Sequence, residues 1–166
     1  HILLMRTRAP ANSVTLTVLG GVRIKLFALS KCRLRFFLKF AGRIINTKRF
    51  RSIATFLTQG KVVAGGRHNE ADLYIEPTIL EDISLHDSVM KEEIFGPILP
   101  VIAYDTHEEV IKWIEKNPFP LSLYVYAEDK NVQDYYISAV RFGGCAINNG
   151  IIHLANPHLP FGGVGP

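Results

Sequence analysis

"LSLYVYAEDKNVQDYYISAVRFGGCAINNG", Leu121 to Gly150, is the stretch whose reading decides the fold. Its first seven residues are apolar and β-branched or aromatic enough to read as a strand buried on both faces. From about Asn131 the pattern changes. Val132, Tyr135, Tyr136, Ala139 and Val140 recur at a spacing of about 3.6 residues, the period of a helix with one apolar face. Gly143-Gly144 is expected to end that helix, and "CAINNG" returns to a short strand. Strand, amphipathic helix and strand in under forty residues are the signature of a βαβ unit.

The alternation extends towards the N-terminus. Thr106-His-Glu-Glu109 is a capping box, opening a helix that turns Val110, Trp113 and Ile114 inward and stops before Pro118. "ILPVIAY" reads as a buried strand. "YIEPTIL" reads as another, placed at an edge because Pro77 cannot donate to a ladder. "KVVAGG" is a short strand ended by a glycine pair. Before it, Thr47 caps a helix whose apolar face is Phe50, Ile53, Ala54 and Leu57, stopped by Gly60. The expected class is α/β, a mostly parallel sheet with flanking helices.

Residues 1–41 follow another rule. "SVTLTVLGGVRIKLF" alternates apolar and polar residues on both sides of Gly20-Gly21, as a hairpin does, and "KCRLRFFLKF" alternates basic with apolar residues. Charge divides the chain as well. Residues 1–69 carry fourteen Lys and Arg and no acid, whereas residues 70–166 carry five Lys and Arg against all fifteen acids. The front is either a basic arm for nucleic acid or an anionic membrane, or a stretch of different origin, frame-shifted or replaced. The second is favoured, because the unlike segment ends abruptly where the α/β pattern begins. Nucleic acid and membrane are therefore not the expected partners.

At 166 residues and 48% hydrophobic content, the chain has room for one cored domain, with or without an appendage. Two cysteines make no disulfide framework, which points to a reducing, cytoplasmic setting. No apolar run approaches the ~20 residues of a membrane-spanning helix. "HILLMRTRAP" puts apolar before basic residues, the reverse of a secretory signal, and its His1 start suggests a fragment.

Single motifs carry little. In "KEEIFGPILP", Lys91 to Pro100, two carboxylates and an aromatic abut a Gly-Pro that restricts the backbone, but acids at a strand entry are usually just solvated. "LPFGGVGP" follows no strand and opens no helix, so it is no dinucleotide fingerprint. Asn148 and Asn149 before Gly150 read as turn residues. The six histidines lack metal-ligand spacing. Cys145 reads as an inert thiol on an apolar strand, and Cys32, among basic residues, has no surrounding catalytic motif.

Together the pieces say more. "GRIINTKRFRSI", "YIEPTILEDI", "SVMKEEIFGPILPV", "PLSLYVYAED" and "NNGIIHLANPHLPFGGVGP" occur in this order. The series resembles the aldehyde dehydrogenase superfamily, most closely its class-3 and fatty-aldehyde branch, over residues 42–166. The resemblance implies oxidation of an aldehyde to a carboxylic acid with NAD or NADP, usually in a homo-oligomer. It implies that Glu93 binds the hydroxyls of the nicotinamide ribose and that Phe95 packs beside the nicotinamide, with Gly96-Pro97 fixing the turn that presents them. Asn148 matches an asparagine near the active site. Leu159 and Phe161 match the loop lining the substrate entrance.

The departures count equally. The family's nucleophilic cysteine lies in a Gly-Gln-x-Cys motif, and none occurs in these residues. The glutamate that activates water and the nucleotide-binding domain are also missing from them. The expectation is a C-terminal piece of a catalytic domain (residues 42–166), preceded by a basic segment outside the family pattern (residues 1–41), with no catalytic residue of its own and no activity alone. A non-catalytic remnant acting as an interaction module is the alternative.

Overall fold

The computed structural model describes residues 3–7, 15–19, 42–116, 120–150, 152–160 and 162. In chain order the elements are strands β1 (Leu3–Thr7) and β2 (Thr15–Leu19), helix α1 (Thr47–Phe56), strands β3 (Lys61–Ala64), β4 (His68–Asn69), β5 (Tyr74–Ile75), β6 (Thr78–Glu81) and β7 (Ile98–Tyr104), helix α2 (His107–Lys116), strand β8 (Ser122–Tyr126), helix α3 (Lys130–Ala139) and strand β9 (Gly144–Ile147). Short 3-10 turns occupy Ser88–Met90 and Ile152–Ala155. The chain divides into two compact units, one of residues 26–101 and the other of residues 1–25 and 102–166. No helix among the described residues is long and apolar enough to cross a membrane.

In the unit of residues 26–101, α1 begins one residue earlier than Thr47 alone would set it. Asn46 is the cap: its backbone is extended and its side chain accepts a hydrogen bond from the Arg49 amide at 2.8 Å. The helix buries Phe50, Ile53 and Phe56, whereas Leu57, expected on that face, is the half-buried C-cap. Ile75, Leu80, Val89, Ile94, Ile98 and Leu99 are among the other apolar residues this unit buries. Fully burying an aliphatic side chain of this size contributes about 1.5–3 kcal/mol.

The strand expected over "YIEPTIL" is two strands. Glu76-Pro77 breaks it, and β6 is no edge: it pairs antiparallel with β3 and parallel with the start of β7. Pro77 is tolerated because it lies in the break, where its missing N–H leaves no ladder bond unmade. Beside it, β3 bulges between Val62 and Ala64. The chain leaves the bulge through Gly65 at φ 78°, where a Cβ would sit 2.1 Å from the Pro77 carbonyl oxygen. Only glycine fits there.

Folding also dissolves part of the charge division. Arg67 grips the buried Glu76 carboxylate through Nη2 at 2.8 Å and Nε at 3.2 Å, Arg51 meets Glu70 at 2.7 Å, and Arg49 lies 3.7 Å from Glu92. Cations of the acid-free stretch thus meet acids that begin at Glu70.

The other unit holds the βαβ element. β8 and β9 are parallel neighbours, Ser122 opposite Gly144 through Val125 opposite Ile147, and α3 connects them. Asp129 caps α3 through the Asn131 amide at 2.8 Å. The buried face of α3 is narrower than its periodicity suggests. Tyr136 is wholly buried while Tyr135 and Ala139 are exposed, and the helix already ends at Val140, where the backbone turns extended before the glycines. The Tyr136 hydroxyl shares a 2.8 Å hydrogen bond with His107 Nδ1, and burial pushes its pKa well up. At α2 the Thr106 hydroxyl accepts from the Glu109 amide at 3.3 Å, the expected cap, and Trp113 is half-buried.

Within residues 1–41, β2 runs antiparallel to both β1 and β8. Of the hairpin expected about Gly20-Gly21, the first arm holds β2, whose two sides are taken by β1 and β8, and the rest lies outside the described residues. The class is α/β. Its pairing is mixed: β6–β7 and β8–β9 are parallel, and β1–β2, β2–β8, β3–β6 and β4–β5 are antiparallel.

Candidate active site

Residues 92–97 form an irregular turn and no extended strand. Glu92 and Glu93 are therefore not set on opposite sides by strand alternation. Ile94 is buried and anchors the turn to the core. At Gly96 a Cβ would stand 2.8 Å from Ile53 Cδ1, so the backbone passes close over α1 only because that side chain is missing. Phe95, between them, takes φ 43° and leaves its ring 75% exposed. The left-handed residue is thus the aromatic and not the glycine. Such a conformation costs a non-glycine residue about 1–3 kcal/mol and persists only where the surroundings impose it.

Arg49 is what surrounds it. Its Nη2 donates to the Glu93 carbonyl and, at 2.7 Å, to the Ile94 carbonyl. Its guanidinium carbon lies 5.7 Å from the Phe95 ring centroid. A groove of about 750 Å³ opens here, lined by Arg43, Ile45, Lys48, Arg49, Glu92 and Phe95 among others. Ile45 is 84% exposed, so two large apolar side chains face solvent beside three cations. The Glu93 side chain is exposed and makes no hydrogen bond or ion pair among the described residues.

Asn148, Leu159 and Cys145 belong to the other unit. Asn148 also takes a left-handed conformation, φ 51°. Its Oδ1 accepts from the Ala127 amide at 3.0 Å, its Nδ2 donates to the Ala127 carbonyl at 3.0 Å, and its own amide donates to Val125 at 2.8 Å. Both ends of its side-chain amide are spent on backbone. Leu159 is 51% exposed, in a turn closed by its amide on the Asn156 carbonyl at 3.2 Å. Phe161 and Cys32 lie outside the described residues. Cys145 is half-buried, and burial pushes its thiol up to about 11, away from the thiolate that nucleophilic attack requires. Among the described residues, no three His, Cys, Asp or Glu side chains gather to hold a metal.

The structure thus brings Glu93 and Phe95 together in one turn and places Asn148 and Leu159 in the second unit. Sequence reasoning missed Arg49. Nothing in "GRIINTKRF" distinguishes it from its two neighbouring cations, Arg43 and Lys48, and its side-chain partners lie more than forty residues away.

A family model described as "Aldehyde dehydrogenase family" matches residues 40–166. The chain belongs to the aldehyde dehydrogenase family. It is 41% identical over 124 residues to aldehyde dehydrogenase family 3 member B1 of Homo sapiens, covering 75% of this chain and 26% of that protein. Among solved structures it is similar to a substrate-bound AldH of Staphylococcus aureus, with TM-score 0.70 and 46% identity over 75% of this chain and 28% of that one. It is also similar to an indole-3-acetaldehyde dehydrogenase complexed with NAD+, with TM-score 0.58 and 27% identity over 67% of this chain and 24% of that one. The chain spans about a quarter of the length of these relatives.

Proposed function

We propose that residues 42–166 are the C-terminal part of the catalytic domain of an NAD(P)-dependent aldehyde dehydrogenase, and that the Glu93–Phe95 turn is its seat for the nicotinamide end of the cofactor. The observation that carries this reading is the pairing of a carboxylate without protein partners among the described residues and an exposed aromatic ring, side by side on a turn that bears backbone strain. Strain kept at the surface without a packing reward is what a contact for a ligand looks like.

The residues fit the group. An ionised Glu93 accepts hydrogen bonds from both hydroxyls of a ribose, and the Phe95 ring limits where a flat heterocycle can swing. Arg43, Lys48 and Arg49 set a positive field on the groove, suited to a nearby phosphate. When bound, the cofactor supplies the hydride acceptor. The part of this chain is to hold it in place, since transfer needs the reacting carbons close and aligned. Leu159 and Phe161 are proposed for the rim of the aldehyde entrance. Asn148, with its side chain occupied by Ala127, serves that rim by shaping the backbone. The nucleophilic cysteine of the reaction is assigned to neither Cys32 nor Cys145.

The test is a titration of the 166-residue chain with nicotinamide mononucleotide, followed by amide chemical shifts. Shifts that concentrate at Glu93, Ile94 and Phe95, and that adenosine monophosphate does not reproduce, are expected. A response spread evenly over the surface, or none in this turn, would overturn the reading.

A further inference from the structure

The geometry points to Arg49 as the positioning residue of this turn: one guanidinium engages all four residues from Glu92 to Phe95 and thereby holds Phe95 in its left-handed conformation. In an extended strand consecutive carbonyls point to opposite sides. Here the carbonyls of Glu93 and Ile94 both accept from the same nitrogen, Arg49 Nη2. That convergence is set by the Ile94 backbone, and the same guanidinium also meets the Phe95 ring, so it ties the Ile94 carbonyl to the Phe95 side chain across the bond whose torsion is the φ of 43°. The other arm of the guanidinium, Nη1, lies 3.7 Å from the Glu92 carboxylate, and its carbon lies 5.7 Å from the Phe95 ring centroid.

Arg49 is itself well anchored. It is the third residue after the cap of α1, its amide bonded to Asn46 Oδ1 at 2.8 Å, and its side chain is only 23% exposed. A planar, permanently charged fork suits the task, because it donates in several directions from one rigid group. Phe95 has no comparable hold of its own, since its ring is three-quarters exposed. Removing the guanidinium should therefore release the turn while leaving α1, whose buried side chains are Phe50, Ile53 and Phe56, in place. The consequence for cofactor binding rests on the proposed function above. A site competent for only a tenth of the time binds about tenfold more weakly.

The experiment compares the wild-type chain with Arg49→Met and Arg49→Lys. Backbone order parameters from nitrogen relaxation at Ile94, Phe95 and Gly96 are expected near about 0.85 in the wild type and towards about 0.6 in Arg49→Met, with those of α1 unchanged. Arg49→Lys, which keeps the charge but lacks the fork, should fall between, and it carries the measurement if the methionine variant does not fold. Unchanged order in the turn of a folded variant overturns the clamp. Nicotinamide mononucleotide separates the two claims. Wild-type binding at the turn, weakened about tenfold in Arg49→Met, supports the positioning role. Equal binding by both overturns that role while the cofactor reading stands. A loosened turn in Arg49→Met, with no wild-type response to the nucleotide, supports the clamp and overturns the cofactor reading together with Arg49's part in it.

Discussion

Phe95 and Asn148 adopt nearly the same unfavourable backbone conformation, φ 43° and 51°, and are held there in opposite ways. Asn148 holds itself. Its side-chain amide closes on both polar groups of Ala127, and asparagine tolerates the left-handed region better than most residues. Phe95 has a side chain that makes no hydrogen bond to its own backbone, and the restraint comes from Arg49, forty-six positions earlier, which meets the ring and the two carbonyls before it. A self-closed turn is rigid scaffold. A turn held by a separate residue leaves its side chain free for a ligand, at the cost that one distant substitution can release it. Under the proposed function, the difference separates a structural asparagine from a contact aromatic, although both were candidates from sequence.

The comparison breaks most visibly at Asn148. Asn148→Ala removes both bonds to Ala127, leaves the buried Ala127 amide unpaired while its carbonyl keeps Gln133 Nε2 at 2.9 Å, and puts alanine where φ is positive. A loss of about 2–4 kcal/mol is expected, read from the urea midpoint. Asn148→Gly, which accepts the backbone angle but makes no bonds, should lose less. If the alanine variant costs under about 1 kcal/mol, Asn148 does not hold its own turn.

A smaller effect sharpens the ligand side. Glu93→Gln keeps size and shape but turns a charged acceptor into a neutral one. Nucleotide binding should weaken by about 1–2 kcal/mol, with little change in stability because the side chain is exposed. Glu92→Gln breaks only a 3.7 Å contact to Arg49 with a half-exposed carboxylate, worth at most about 1 kcal/mol. Titration calorimetry on both variants decides. A larger loss from Glu92→Gln would transfer the ribose-binding role to the residue that lines the groove.

Much of the fold was legible because it rests on local periodicity. The β8–α3–β9 unit and β7 lie where the apolar patterns put them. What escaped depended on partners distant in sequence. Pro77 suggested an edge strand, yet β6 is flanked on both sides, because pairing is set by β3 and β7 and not by its own residues. Leu57 and Phe56 are equally apolar neighbours, and the helix end decides between them. At the site, motif recognition pointed to Glu93 and Phe95, which lie on one irregular turn. Nothing in the sequence marked Phe95 as the left-handed residue, and Gly96 proves to be needed for closeness to Ile53.

The smallest effect, and the most diagnostic, is Phe95→Gly. Glycine enters the left-handed region without the penalty an aromatic bears, while its added freedom in the unfolded chain works against stability. Because the residue is 75% exposed, removing the ring forfeits little packing beyond the 5.7 Å contact with Arg49. The two backbone terms should leave a net gain of at most about 1 kcal/mol, seen as a slightly raised urea midpoint. A ligand-binding aromatic is the case in which stability rises as function falls, so the response to nicotinamide mononucleotide should be lost in the same variant. Phe95→Ala separates the causes: it lacks the ring but keeps the strain, and should lose the response without the gain. If Phe95→Gly instead destabilises the chain by more than about 1 kcal/mol, the ring packs as structure, and the contrast with Asn148 disappears.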